Sequence, residues 1–275
     1  MAVVRWLGVD GDLSNTANYS TGALPSAGDS LQISQGSISI TTGLTALAAI
    51  ALSGLLITNG FTGNIGTNGT SIELLVNNAT AGTIYIAMGG SYIYAKITSY
   101  NVTGPVTKDI TVGSTGSGTF YLTAGSFANC KFVGGQTGRC FIGSGVTMGD
   151  VYTAGASIDV TPAFTTGIFN GGNNVIRADV TTLTLGTNTG CTLEGSGVDV
   201  TTANCHGGSR LILNNGGATA GVITTANAYP GSYIANGGKY DNTITTLNAW
   251  VGSTQALQQA SSKTTATTTT PVGQK

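Results

Sequence analysis

Charge is the scarcest commodity in this chain of 275 residues: 10 basic and 11 acidic side chains make 8% of the sequence, against a typical ~25%. No lysine or arginine cluster exists to displace counterions from phosphates, which excludes a nucleic-acid binder of the usual electrostatic kind. There is one histidine, His206, and the four cysteines (Cys130, Cys140, Cys191, Cys205) form no C-x-x-C pair, so zinc and dithiol redox patterns are missing. Free thiols in a cytoplasmically made protein are therefore expected. Met1 to Asp12 lacks an apolar core segment, so no secretory leader is expected. The longest apolar run, Leu44 to Ile57, is 14 residues with a glycine inside, short of the ~18–20 that span a bilayer. It reads instead as a buried strand pair or a short packed helix. Glu, Lys, Arg and Gln are few, which weakens any case for helices.

What is abundant is Gly (43 residues), Thr, and short runs of Val, Ile, Tyr and Phe, an all-β composition. Mean hydropathy is positive, +0.21. A surface so poor in charge suits a Thr/Asn/Ser-covered scaffold, or one covered within an assembly.

Four segments share one motif: 181–185 (TTLTL), 201–205 (TTANC), 224–228 (TTANA) and 245–249 (TTLNA). Their first threonines are 20, 23 and 21 residues apart. A period of this size in strand-like text predicts a solenoid whose repeats cover each other's apolar faces. The spacing suits one coil of a parallel β-helix, right-handed because parallel crossovers nearly always are. Strand alternation puts Leu183, Ala203, Ala226 and Leu247 in one inward stack. It puts Leu185, Cys205, Ala228 and Ala249 in a second. Thr184, Asn204, Asn227 and Asn248 should form an outer ladder. Residues 1–60 do not show the period and read as an N-terminal cap or docking segment. Residues 61–260 read as the solenoid, roughly nine coils of ~21 residues stacked to about 40–45 Å. Residues 261–275 read as a flexible tail.

Catalytic and ligand-binding patterns are thin. Asp159, Asp179 and Asp199 recur at steps of 20 and could line one face, the best candidate for acid chemistry or a cation. The plainer reading is outward aspartates paired with solvent or neighbouring amides. His206 follows Cys205 directly, so the two point opposite ways along a strand and cannot cooperate. Asp10-Gly11-Asp12 begins like a calcium loop but lacks the later acid. The glycine strings lack the Gly-Lys-Ser/Thr ending of a phosphate loop. The Asn-x-Ser/Thr triplets at Asn18, Asn68, Asn78 and Asn101 read as polar turns. No catalytic residue, metal or cofactor is expected.

The opening segment carries a more specific pattern: Trp6-x-Gly8, Asp12-x-Ser14, Asn18-Tyr19, Gly22, Pro25-Ser26-Ala27-Gly28-Asp29, Leu31-Gln32-Ile33. It resembles the opening motif of bacteriophage virion proteins of the β-helix type, with Tyr19 where Trp is commoner. Residues 61–66 (FTGNIG) and the Thr-Ile-Thr-Thr-Leu-Asn repeats extend the resemblance over most of the chain. It implies a capsid decoration (cement) protein that stabilises the phage head over capsomer junctions, with the major capsid protein as partner. A homotrimer on the capsid surface is implied, with no membrane and no nucleic acid contact. Within it, Trp6, Tyr19, Pro25 and Asp29 are the candidate docking residues. The alternative is a tail-spike or fibre domain that binds, less readily cleaves, surface polysaccharide; outward aromatic rows and a carboxylate pair in a groove would favour it. A bacterial surface adhesin is a third reading.

Overall fold

The structure is a computed structural model, and it describes residues 2–77, 84–88, 92–100, 108–114, 118–134, 139–214, 219–236 and 242–256, with short stretches at 258–259, 262–263 and 267–269. It is a parallel β-helix solenoid. Among the described residues the only helical turn is the 3-10 turn Thr16–Asn18, and no helix is long and apolar enough to cross a membrane. The chain forms two compact units, Met1–Gly149 and Asp150–Lys275.

In the first unit, alternation along each strand delivers apolar side chains to two inward columns. Val4, Leu31, Leu55, Ile84, Ile110 and Cys130 are successive register partners, and all are buried. Ile33, Ile57, Ile86, Val112 and Phe132 form the second column beside them. A second strand row, Ala51–Leu52, Ile72–Asn77, Tyr92–Tyr100 and the start of Thr119–Gly134, faces them with Leu52, Leu74, Ile97 and Leu122 buried. The ladder begins at Val3–Arg5, so residues 1–60 already contribute strands to it. Leu44 to Ile57 makes turns and then the strands Ala51–Leu52 and Gly54–Ile57.

In the second unit, Leu183, Ala203, Ala226 and Leu247 are consecutive register partners, with 0, 0, 0 and 2% exposure. Leu185, Cys205, Ala228 and Ala249 run alongside. The facing row, Asn173–Ile176, Gly190–Leu193, Arg210–Leu213 and Tyr233–Asn236, buries Cys191, Leu211 and Ile234 against them. On the outward side Asn227 donates to Asn204 Oδ1 (2.8 Å), and Asn248 donates to Asn227 Oδ1 (2.9 Å). A threonine would end this chain of amides, as Thr184 does at the upstream end, where Asn204 reaches its hydroxyl at 3.4 Å.

The step between coils is not uniform. It is 20, 23 and 21 from Val180 through Val200 and Ile223 to Ile244, but 16 from Phe164 to Val180. In the first unit it reaches 29 between Leu55 and Ile84. Corners absorb these insertions while the inward columns hold register, so dividing the chain by one period miscounts the coils. Of the expected tail, Ser262–Lys263 pairs with Gln258–Gln259, and Thr267–Thr269 pairs in parallel with Thr246–Asn248. The rest of 261–275 lies outside the described residues, as do the triplet asparagines 78 and 101.

Candidate functional site

The opening motif folds into one hydrogen-bonded cap over the first strand. The Asp10 carboxylate accepts the Asp12 N–H (2.9 Å) and the side-chain amides of Asn15 and Asn18 (both 2.6 Å). These bonds, the backbone one foremost, hold its carboxyl below the usual range. Asp12 accepts from the backbone N–H (2.9 Å) and hydroxyl (2.7 Å) of Ser14. Its Oδ1 sits where a Cβ on Gly43 would be, so position 43 admits only glycine. Asn18 donates to the Asp12 carbonyl and is fully buried. Asp29 ties the chain start down, accepting Ala2 N–H (2.7 Å) and Ser26 N–H (3.1 Å), which likewise lowers its carboxyl.

Trp6 and Tyr19 lie inside this cap, 3% and 1% exposed, in edge-to-face contact at 5.5 Å. The Tyr19 hydroxyl donates to the Leu13 carbonyl, and burial pushes its pKa up. Pro25 is buried and Asp29 half-buried. The four candidate docking residues thus build the cap rather than its outer surface. Apolar side chains that do face outward are Val3, Leu7 and Val9, 59, 56 and 61% exposed. The sequence signal for them is their odd-numbered place, out of phase with the inward Val4 and Trp6. Gly8 is left-handed (φ 70°), which explains a glycine two residues past the tryptophan.

The cap also closes an edge. Asn18 to Ser20 returns antiparallel to the first strand: Ser20 N–H donates to the Arg5 carbonyl (2.9 Å), Leu7 N–H to the Asn18 carbonyl (2.7 Å), and Arg5 N–H to the Ser20 hydroxyl (3.0 Å). The strand's far side pairs with Ser30–Ile33, so neither side offers a free backbone row.

The three aspartates do not line one face. Asp159 is the register partner of Val175, whereas Asp179 and Asp199 precede the aligned Val180 and Val200 in another row. The short 16-residue step before Val180 is the reason: equal sequence spacing is not equal height in the stack. Asp159, nearly buried, accepts two bonds from Arg177 (2.9 and 3.0 Å), which also meets Glu194 at 3.2 Å and has its pKa raised chiefly by Asp159. Asp179 accepts the Asp199 N–H (2.9 Å), and Asp199 accepts the Val222 N–H (2.8 Å), each stapling its corner to the next coil. Among the described residues no three His, Cys, Asp or Glu side chains converge to hold a metal.

A corner repeat unseen in the sequence governs the remaining aromatics. Residues 186–189 (GTNT), 206–209 (HGGS), 229–232 (YPGS) and 250–253 (WVGS) occupy one corner in successive coils. The third position has positive φ in every copy: Asn188 56°, Gly208 76°, Gly231 78°, Gly252 89°. In the last two copies the serine hydroxyl donates back to the first residue's carbonyl, Ser232 to Tyr229 and Ser253 to Trp250 (both 2.7 Å), and Ser209 reaches the His206 carbonyl through its backbone N–H (2.9 Å). This alignment stacks His206 on Tyr229 (4.6 Å) and Tyr229 on Trp250 (4.5 Å). His206 is an exposed corner residue while Cys205 points inward. A second stack, Tyr94–Tyr121–Phe141, has spacings of 4.3 and 4.8 Å, with the Arg139 guanidinium over Phe141. In each stack the middle ring, Tyr229 or Tyr121, has a ring on both faces, and each end ring has one ring neighbour.

All four cysteines are buried as thiols. Burial pushes the Cys140 and Cys205 thiols up to about 12, and Cys191 higher still. In comparisons with known proteins, no family model, no curated protein and no solved structure matches this chain.

Proposed function

We propose that this chain is a structural protein of a bacteriophage virion, a capsid decoration protein that binds over capsomer junctions and stabilises the head. The observation that carries the reading is the use made of the opening motif. Trp6, Gly8, Asp12, Ser14, Asn18, Tyr19 and Asp29 each have a distinct role in one closed cap. That these motif residues interlock in one module is what supports taking the resemblance to phage β-helix proteins as more than a likeness of composition. The rest is consistent with an inert scaffold: a core of stacked columns, outward amide ladders, and aspartates spent on structural bonds. The major capsid protein is the partner, and a homotrimer is the assembly state of this reading.

Contact falls to Val3, Leu7 and Val9 beside the cap, which are 56–61% exposed. Capsids prepared without the chain and then mixed with purified protein test this. Decorated capsids should resist heating better than bare ones, and the variant with Val3, Leu7 and Val9 all changed to Ser should fold yet fail to protect. Equal protection by that variant would move the contact elsewhere; no binding by the wild-type chain would sink the reading.

A further inference from the structure

The sequence holds five Asn-Gly pairs, at 59–60, 68–69, 170–171, 215–216 and 236–237. An asparagine before glycine can lose its side-chain amide without an enzyme, because no Cβ on the next residue hinders that residue's nitrogen from reaching the asparagine Cγ. The fold treats these pairs differently. Asn215 and Gly216 lie outside the described residues. Asn236 is 2% exposed, and its Oδ1 accepts the Asn242 amide (2.9 Å). Asn170 is exposed, but the peptide that follows it is held at both ends: Gly171 N–H donates to the Thr189 hydroxyl, and Gly155 N–H donates to the Asn170 carbonyl (both 2.7 Å). Asn59 sits in an exposed turn closed by Phe61 N–H on the Thr58 carbonyl (3.0 Å). That turn is pressed against Ser34, whose carbonyl occupies the place a Cβ on Gly60 would take and accepts the Thr58 hydroxyl at 3.0 Å.

Asn68 and Gly69 differ from all of these. They form the tip of a two-residue loop in which Thr70 N–H donates to the Thr67 carbonyl (2.9 Å) and Thr67 N–H to the Thr70 carbonyl (2.8 Å). All four residues are exposed. Gly69 is left-handed (φ 90°), and nothing lies within 4 Å of where its Cβ would be. Among the described residues its N–H has no hydrogen-bond partner. The attacking nitrogen is thus unengaged, and the loop tip has room to turn it onto Cγ.

We propose that Asn68 is a site of spontaneous modification, the first of the described Asn-Gly pairs to be converted to aspartate and isoaspartate in the folded protein. The Gly69 nitrogen bonds to Asn68 Cγ, the Cγ–Nδ2 bond breaks, and ammonia leaves with the proton that Gly69 gives up. Water then opens the resulting succinimide at either carbonyl, so the net change is amide plus water to acid plus ammonia. Each event adds one negative charge to a chain whose formal net charge is −1, at an exposed loop tip away from the inward columns. The inference does not rest on the virion reading.

Full-length protein aged in mildly alkaline buffer, followed by isoelectric focusing and peptide mapping, tests it. A more acidic species should appear, with the acid at position 68. Conversion there should outpace Asn170 and Asn236 on the order of ten-fold or more, because those two must first open locally. Asn59 should fall between. Asn68→Ser should remove the first acidic species, and in denaturant the four described pairs should react at similar rates. The proposal is overturned if Asn170 or Asn236 converts as fast as Asn68 in the folded chain, or if Asn68 keeps its amide while the denatured chain loses it.

Discussion

Trp6 separates a cap residue from a docking anchor, and the two roles give opposite results on substitution. The indole is 3% exposed and packs edge-to-face on Tyr19 at 5.5 Å. Its Nε1 has no hydrogen-bond partner, so Trp6→Ala forfeits burial and packing but no hydrogen bond. Deleting a buried tryptophan costs about 3–5 kcal/mol, and the aromatic pairing accounts for about 0.5–1.5 of that. Trp6→Phe retains most of the area and removes an unsatisfied N–H, so it should cost only about 1–2 kcal/mol. Tyr19→Phe orphans the Leu13 carbonyl and should cost about 1–3 kcal/mol. Urea unfolding followed by circular dichroism gives these values, and a double-mutant cycle on Trp6→Ala and Tyr19→Ala should show coupling. The reasoning is refuted if Trp6→Ala leaves the unfolding midpoint unchanged. Loss of capsid binding at unchanged stability would restore Trp6 as a surface anchor.

Cys205→Ser should destabilise by about 1–3 kcal/mol, since a hydroxyl replaces a thiol in an apolar column; in the native chain Cys205 should resist alkylation at about pH 8, because its thiol is raised to about 12, and react once denaturant is added. Asn227→Ala breaks two rungs of the amide ladder at once and should cost about 1–3 kcal/mol by the same urea assay, with Asn248→Ala costing less. The carboxyls of Asp10 and Asp29 are held below their ordinary values, so their contribution is present above the unfolded value near pH ~4 and is lost as pH falls through the lower folded values. In a Trp250→Phe background, Trp6 fluorescence should therefore stay constant down to about pH 4 and change below it; a transition centred near pH ~6 would contradict these assignments.

The solenoid was legible because the Thr-Thr-x-Asn segments recur in strand-length text, and strand alternation then sorts inward from outward positions without further information. Register between coils was legible only where the step is regular, from Val180 onward. Before it, corner insertions break the link between sequence spacing and stack height, which is why Asp159, Asp179 and Asp199 looked like one row and are not. Three copies of the corner repeat carry Gly-Ser, at 208–209, 231–232 and 252–253, whereas the first, Asn188-Thr189, shares with them only the left-handed backbone, so residue type alone does not join all four. Large aromatics serve interfaces and cores alike, so sequence does not separate docking from cap roles for Trp6 and Tyr19; the return of Asn18 to Ser20 onto the first strand buries both.

The copy number of this chain in purified virions tests the central claim most directly. Quantitative mass spectrometry against the major capsid protein should find it in fixed, high proportion to capsomers, as a decoration protein requires. A handful of copies per particle would point to a tail-spike or fibre, and absence from the particle would contradict a virion role altogether.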